Sequence, residues 1–111
     1  MEIILFSVVV TAMLGAFLFL PVIKKKKAPK FAIYAHGSFA IISVCLLSKE
    51  FFFEGNLHLV SMILFALAAI NGIYMFIISE IQKRTIPPAL LVLHANLAVI
   101  ALISLLYFMW R

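Results

Sequence analysis

Residues 3–27 read IILFSVVVTAMLGAFLFLPVIKKKK, an uncharged run from Ile3 to Ile23 closed by four lysines. A hydrocarbon core about 30 Å thick is crossed by about 20 helical residues, so this run is long enough to span a membrane and ends on a basic boundary. A cleaved leader carries its bases ahead of a shorter apolar run, whereas here Glu2 precedes the run and the lysines follow it. The stretch is therefore expected to stay as the first transmembrane helix.

Working outward, three more uncharged stretches follow: Phe31–Ser48, Asn56–Ser79 and Ile86–Trp110. Together the four use nearly all of the 111 residues, and their connections are short. The expectation is an all-α integral membrane four-helix bundle, up-down-up-down, forming one domain over residues 1–111. Composition agrees. The chain is 67% hydrophobic and 12% charged, where a soluble domain is about 45–50% apolar and about 25% charged. A soluble enzyme is excluded. So is a nucleic-acid-binding domain, since the net charge of +5 sits in short runs between apolar segments and not on a folded basic face. Cys45 lies alone in the second span, so no intramolecular disulfide forms, and it reads as a small packing residue.

The bases set the orientation. Lys24, Lys25, Lys26, Lys27 and Lys30 lie in the first connection and Lys83 and Arg84 in the third, while Lys49 and Arg111 lie at the other side with Glu2, Glu50 and Glu54. The positive-inside rule puts both basic loops in the cytoplasm and both termini outside, in the cell's inner membrane. Phe51–Phe53, Tyr107 and Trp110 mark the outer boundary, where aromatic rings favour the headgroup region.

The two halves resemble each other. Residues 29–40 read PKFAIYAHGSFA and residues 87–98 read PPALLVLHANLA, so a histidine follows a proline by seven residues in each, with an alanine four further on. Gly15–Phe19 and Gly72–Phe76 give a weaker echo in the first and third spans, each running into a basic cluster. The chain reads as a duplicated helical hairpin. Similar composition and first-turn prolines could produce part of this pattern. They do not produce matched histidines, and an ionisable residue inside a membrane is costly and marks a function by default.

Helices two and four run in the same direction, so His36 and His94 reach the same depth, about 10 Å inside the basic boundary. The faces that continue from them are small, Ala40 and Ser43 on one helix and Ala98 and Ala101 on the other. Gly15 and Gly72 fall within one or two turns of that level. Two imidazoles beside two positions without side chains suit a haem b: His36 and His94 ligate the iron, Gly15, Gly72, Ala40 and Ala98 make room for the macrocycle, and Lys30 and Arg84 among the loop bases meet its propionates. Asn71 or Asn96 could orient a histidine. Tyr34 reads as an interface anchor and His58 as an interfacial residue, and the lysine run also suits anionic lipid.

This arrangement resembles one of the two bis-histidine haem sites of the cytochrome b561 family. The resemblance rests on the architecture and on His36 and His94. It implies one-electron transfer, with a quinone or a redox protein as partner beside the lipid bilayer. That family has a second histidine pair near the other face. Here only His58 remains, and helix one offers only Met13, so one haem is expected. A homodimer is a further expectation, because four short helices leave a haem partly uncovered.

Two other classes compete. Four spans in a chain of this length also resemble the small multidrug resistance exporters, but those depend on a membrane-embedded glutamate in helix one, and here that helix has only Glu2 at its edge. A proton- or metal-coupled transporter could use the histidines, although two imidazoles alone make a poor zinc or copper site. The third class is an accessory subunit without chemistry. No hydrolase or transferase site can be assembled, because there is no aspartate, the four glutamates lie at span edges and no serine or cysteine is paired with a base. Any enzyme here would be a cofactor-based oxidoreductase.

Overall fold

A computed structural model describes residues 2–55 and 59–110. The uncharged stretches form four helices: α1 (Glu2–Ile23), α2 (Lys30–Lys49), α3 (Leu59–Phe76) and α4 (Pro88–Met109). There is no strand among the described residues. Wide π-type turns prolong α2 through Glu50–Glu54 and α3 through Ile77–Ile81. The second span therefore runs from Lys30 to Glu54, well beyond the expected Phe31–Ser48. Lys49 and Glu50 end the uncharged run but not the helix, because their backbone bonds continue and Gly55, in a left-handed conformation (φ 68°), closes it. The start of the expected third span, Asn56–His58, lies outside the described residues.

All four helices are long and apolar enough to cross a membrane, and the bundle measures 40 × 23 × 20 Å, its long axis matching a bilayer with its headgroups. Apolar side chains also cover the outside: Ile3, Phe6, Met13, Ile70 and Ile103 are all more than half exposed. Water does not tolerate such a surface over the whole molecule, and lipid does. The chain is a multi-pass membrane protein.

α1 packs chiefly on α2 and α3 on α4; the two hairpins then meet through α2 against α3 and α1 against α4. This cyclic order places α2 and α4, which run parallel, diagonally across the bundle. The internal repeat extends to the packed faces. Ile4, Val8, Thr11, Gly15 and Leu18 on α1 match Ser61, Phe65, Ala68, Gly72 and Met75 on α3 at one constant shift. His36, Ala40, Ser43 and Leu47 on α2 match His94, Ala98, Ala101 and Leu105 on α4 at another.

The basic turns repeat as well. Lys25 and Lys83 both adopt left-handed conformations, φ 58° and 56°. At the first, Lys26 N–H donates to the Pro21 carbonyl at 2.8 Å and Lys25 N–H to Val22 at 3.0 Å, a Schellman closure with lysine where glycine is usual. Pro29 and Pro87 then hold nearly equal extended conformations, φ −60°, ψ 130° and φ −58°, ψ 133°, and α2 and α4 start behind them. A proline can lead a helix because the first N–H groups have no intrahelical acceptor.

The end of the bundle away from the basic turns has a filled interior. Ile4, Val8, Leu47 and Leu105 are buried against one another, with Leu46, Phe51, Met62, Phe65, Leu102 and Met109 around them. Hydroxyl pairs tie each hairpin: Ser7 to Ser43 across α1 and α2, and Ser61 to Ser104 across α3 and α4, both at 2.7 Å. Inside a membrane such groups have no water to turn to, so they pair across the helix contact.

Candidate functional site: a diagonal histidine pair

His36 and His94 lie on the inward faces of α2 and α4 and meet across the bundle. Their ring centres are 6.2 Å apart and the rings are nearly perpendicular, at 85°. Each ring rests on a glycine of its own hairpin. A Cβ built on Gly15 would fall 2.9 Å from His36 Cε1, and one on Gly72 would fall 3.1 Å from His94 Cε1. Real Cβ atoms essentially never come as close as the first distance, and the second is tighter than nearly all of them. The sequence suggested that the glycines share a level with the histidines and clear room for a macrocycle; in the structure the space beside each glycine is taken by the imidazole itself. Helix residues of any other type would push the rings out of place.

The Nδ1–H of His36 donates to the backbone carbonyl of Thr11 at 2.9 Å. Because a carbonyl only accepts, Nδ1 carries the proton and Nε2 keeps the lone pair. That carbonyl is one helical turn before Gly15, so the position that clears space for the ring also brings the ring to its acceptor. On the other hairpin the Ala68 carbonyl, one turn before Gly72, approaches His94, but His94 Nδ1 closes no hydrogen bond of ordinary geometry. Nε2 of each ring also makes no hydrogen bond to a described residue.

Thr11 is itself fastened. Its hydroxyl donates to the Ser7 carbonyl at 2.8 Å and lies 3.3 Å from the Ser43 hydroxyl, and Ser43 donates to the Phe39 carbonyl at 2.7 Å. Ser43 was expected only as a small residue leaving space. It is buried and engaged, while Ala40 and Ala98 are half-buried one turn beyond the histidines and Ala101 is fully buried.

The asparagines do not orient the rings. Asn96 is exposed on the outside of α4, because two residues along a helix from His94 it faces away from the ring. Asn71 Oδ1 is buried without a hydrogen-bond partner. The group that orients His36 is a backbone carbonyl, which carries no side-chain signature.

Lys30, the first residue of α2, and Arg84, in the third connection, are exposed at the histidine end with Lys24–Lys27 and Lys83. Arg84 donates to Gln82 Oε1 through Nε at 2.9 Å and also through an Nη. Tyr34 is half-exposed and packs edge-on against Phe76, with ring centres 5.9 Å apart, as an interface anchor would. Cys45 is exposed and not packed in the core, since it lies on the outward face of α2. His58 lies outside the described residues.

Among the described residues no three histidines, cysteines or carboxylates come together. A bare zinc or copper ion normally needs three or four protein ligands, so the pair does not suit one. A porphyrin supplies four nitrogens itself and asks the protein for two. Two metal–nitrogen bonds of about 2 Å, plus about 1 Å from each nitrogen to its ring centre, give roughly 6 Å between ring centres for ligands on opposite sides of one metal. The observed 6.2 Å agrees. Edge-to-face aromatic pairs also stand about 4.5–7 Å apart, so distance alone does not decide. The nitrogens add to it: the Nδ1–H bond to Thr11 leaves the Nε2 lone pair of His36 available to a metal, and His94 Nδ1 is buried without a hydrogen bond, neither of which an aromatic contact requires. The two histidines fit the donor set that a porphyrin-bound metal asks of a protein. No protein-family model, curated protein or solved structure matches the chain.

Proposed function

We propose that this chain is a membrane b-type cytochrome that carries one electron at a single haem b. The carrying observation is the diagonal pair His36–His94, 6.2 Å between ring centres, with His36 held by Nδ1 so that its Nε2 keeps the lone pair. Haem b, when bound, supplies a reversible one-electron centre. The protein supplies position and surroundings. His36 and His94 would hold the iron, and Gly15 and Gly72 let the two rings lie close to α1 and α3. Ala40 and Ala98 keep the helices slim next to them. Lys30 and Arg84 offer cationic partners to the propionates.

The basic connections are assigned to the cytoplasm and both termini to the outside of the cell's inner membrane, because seven of the nine bases fall on one side. The pair lies seven residues inside Pro29 and Pro87, and the far half of the bundle is filled by the core around Leu47 and Leu105. Electrons are thus exchanged with a quinone or a redox protein at the basic face, not passed across the membrane by this chain alone. A second copy of the chain covers the edge that four helices leave open. The test is the haem content of chain purified from haem-replete cells, measured as the pyridine haemochrome. About one haem b per chain, falling to background in His36→Ala and His94→Ala together, supports the reading. A haem-free preparation overturns it.

A further inference from the structure

The two hairpins repeat closely, yet they differ at one place beside the histidines. The first has Thr11 and Ser43 where the second has Ala68 and Ala101. In the first hairpin, Ser7 donates its hydroxyl to Ser43 at 2.7 Å, Thr11 and Ser43 donate theirs to the carbonyls of Ser7 and Phe39, and the Thr11 hydroxyl stands 3.3 Å from that of Ser43. Thr11 then presents its carbonyl to His36 Nδ1 at 2.9 Å. In the second hairpin, alanines can build no such cluster; the Ser61–Ser104 pair lies farther along the bundle, away from the ring. There the Ala68 carbonyl approaches His94, but Nδ1 closes no hydrogen bond of ordinary geometry.

We propose that the histidines are unequal: the Ser7–Thr11–Ser43 clasp fixes His36 in one ring orientation through Nδ1, whereas His94, seated on Gly72 but without a closed Nδ1 hydrogen bond, keeps more freedom to adjust its ring. Thr11 and Ser43 are thus positioning residues. The clasp anchors α1 to α2 in one register, and the register sets where the Thr11 carbonyl lies. His36 would then be the preset ligand for a haem, and His94 the one that adjusts. This last consequence rests on the haem reading; the inequality of the rings does not. Unequal ligands also resolve a packing problem, since two rigid imidazoles on opposite helices would both have to be placed correctly before anything was bound.

Imidazole nitrogen NMR of the ligand-free protein in lipid nanodiscs tests the clasp. His36 is expected as a single Nδ1–H form and His94 as an averaged one. Ser43→Ala and Thr11→Val should turn the His36 signals into averaged ones, Ser43→Thr should restore them, and Ser104→Ala should change neither histidine. Equal signals for the two rings in the parent protein, or His36 signals indifferent to both clasp variants, would overturn the proposal. Two clasp variants guard against one of them failing to fold. Hemin titration is the second arm. Loss of an outer contact that orients a ligand costs roughly 10–100-fold in affinity, so Ser43→Ala should weaken hemin by about tenfold or more, and His94→Ala should retain more hemin than His36→Ala. If the parent binds no hemin, the cofactor reading fails while the NMR result stands. If hemin binds and both histidine variants lose it equally, the inequality fails.

Discussion

Gly15 and His36 form a lock in which the absent side chain is the working part: a Cβ on the glycine would sit 2.9 Å from Cε1 of the ring. The ring cannot back away without giving up its 2.9 Å bond to the Thr11 carbonyl. Gly72 and His94 repeat the contact at 3.1 Å. Gly15→Ala is therefore expected to displace His36 and lower haem retention, with an overpacking cost of about 1–3 kcal/mol. Gly37→Ala is the contrast. Nothing lies within 4 Å of a Cβ there, so the better helix former should leave haem retention unchanged and raise stability by up to about 1 kcal/mol. Haem content and thermal unfolding of the two variants read both effects.

The filled end and the histidine end have separate duties. Leu47 and Leu105 are almost fully buried in the former. Leu47→Ala and Leu105→Ala cost about 2–5 kcal/mol in a water-soluble core, and the lower part of that range is expected here because lipid tails are as apolar as leucine. Unfolding midpoints should fall while the haem spectrum of the folded fraction keeps its shape. A changed spectrum would show that the site extends into the core.

The loop bases carry orientation first and haem contact second. A cysteine appended after Arg111 should react with a membrane-impermeant thiol reagent from outside intact cells. Replacing Lys24–Lys27 with glutamine should divide the chain between both orientations, because the charge bias then rests on Lys30, Lys83 and Arg84. In the unaltered loops, Lys30→Gln and Arg84→Gln should each weaken hemin only a few-fold, since exposed ion pairs contribute about 0.2–1 kcal/mol. A much larger loss at either one would mark it as buried against the ligand.

Spans, bundle and histidine pair were legible in the sequence because each depends on a pattern the chain repeats: uncharged runs of membrane length, bases at alternate turns, and a histidine seven residues after a proline. The continuation of α2 through Glu50–Glu54 was not, because Lys49 and Glu50 break the uncharged run while the backbone goes on bonding. Nor was the partner of His36. Asparagines stand out in an apolar span, but a ring finds whatever acceptor the rotation of the next helix presents, and that was the carbonyl of Thr11. Ser43 looked like a spacer for the same reason: its role comes from facing Ser7 and Thr11 across a helix contact, and periodicity within one helix does not contain that register.

The reduced-minus-oxidised spectrum of the purified protein on adding dithionite tests the haem site most directly. A Soret band with sharp α and β bands appearing on reduction, typical of six-coordinate haem b and changed in both His36→Ala and His94→Ala, is the result expected. A colourless protein from haem-replete cells, or a haem spectrum indifferent to both substitutions, would contradict it.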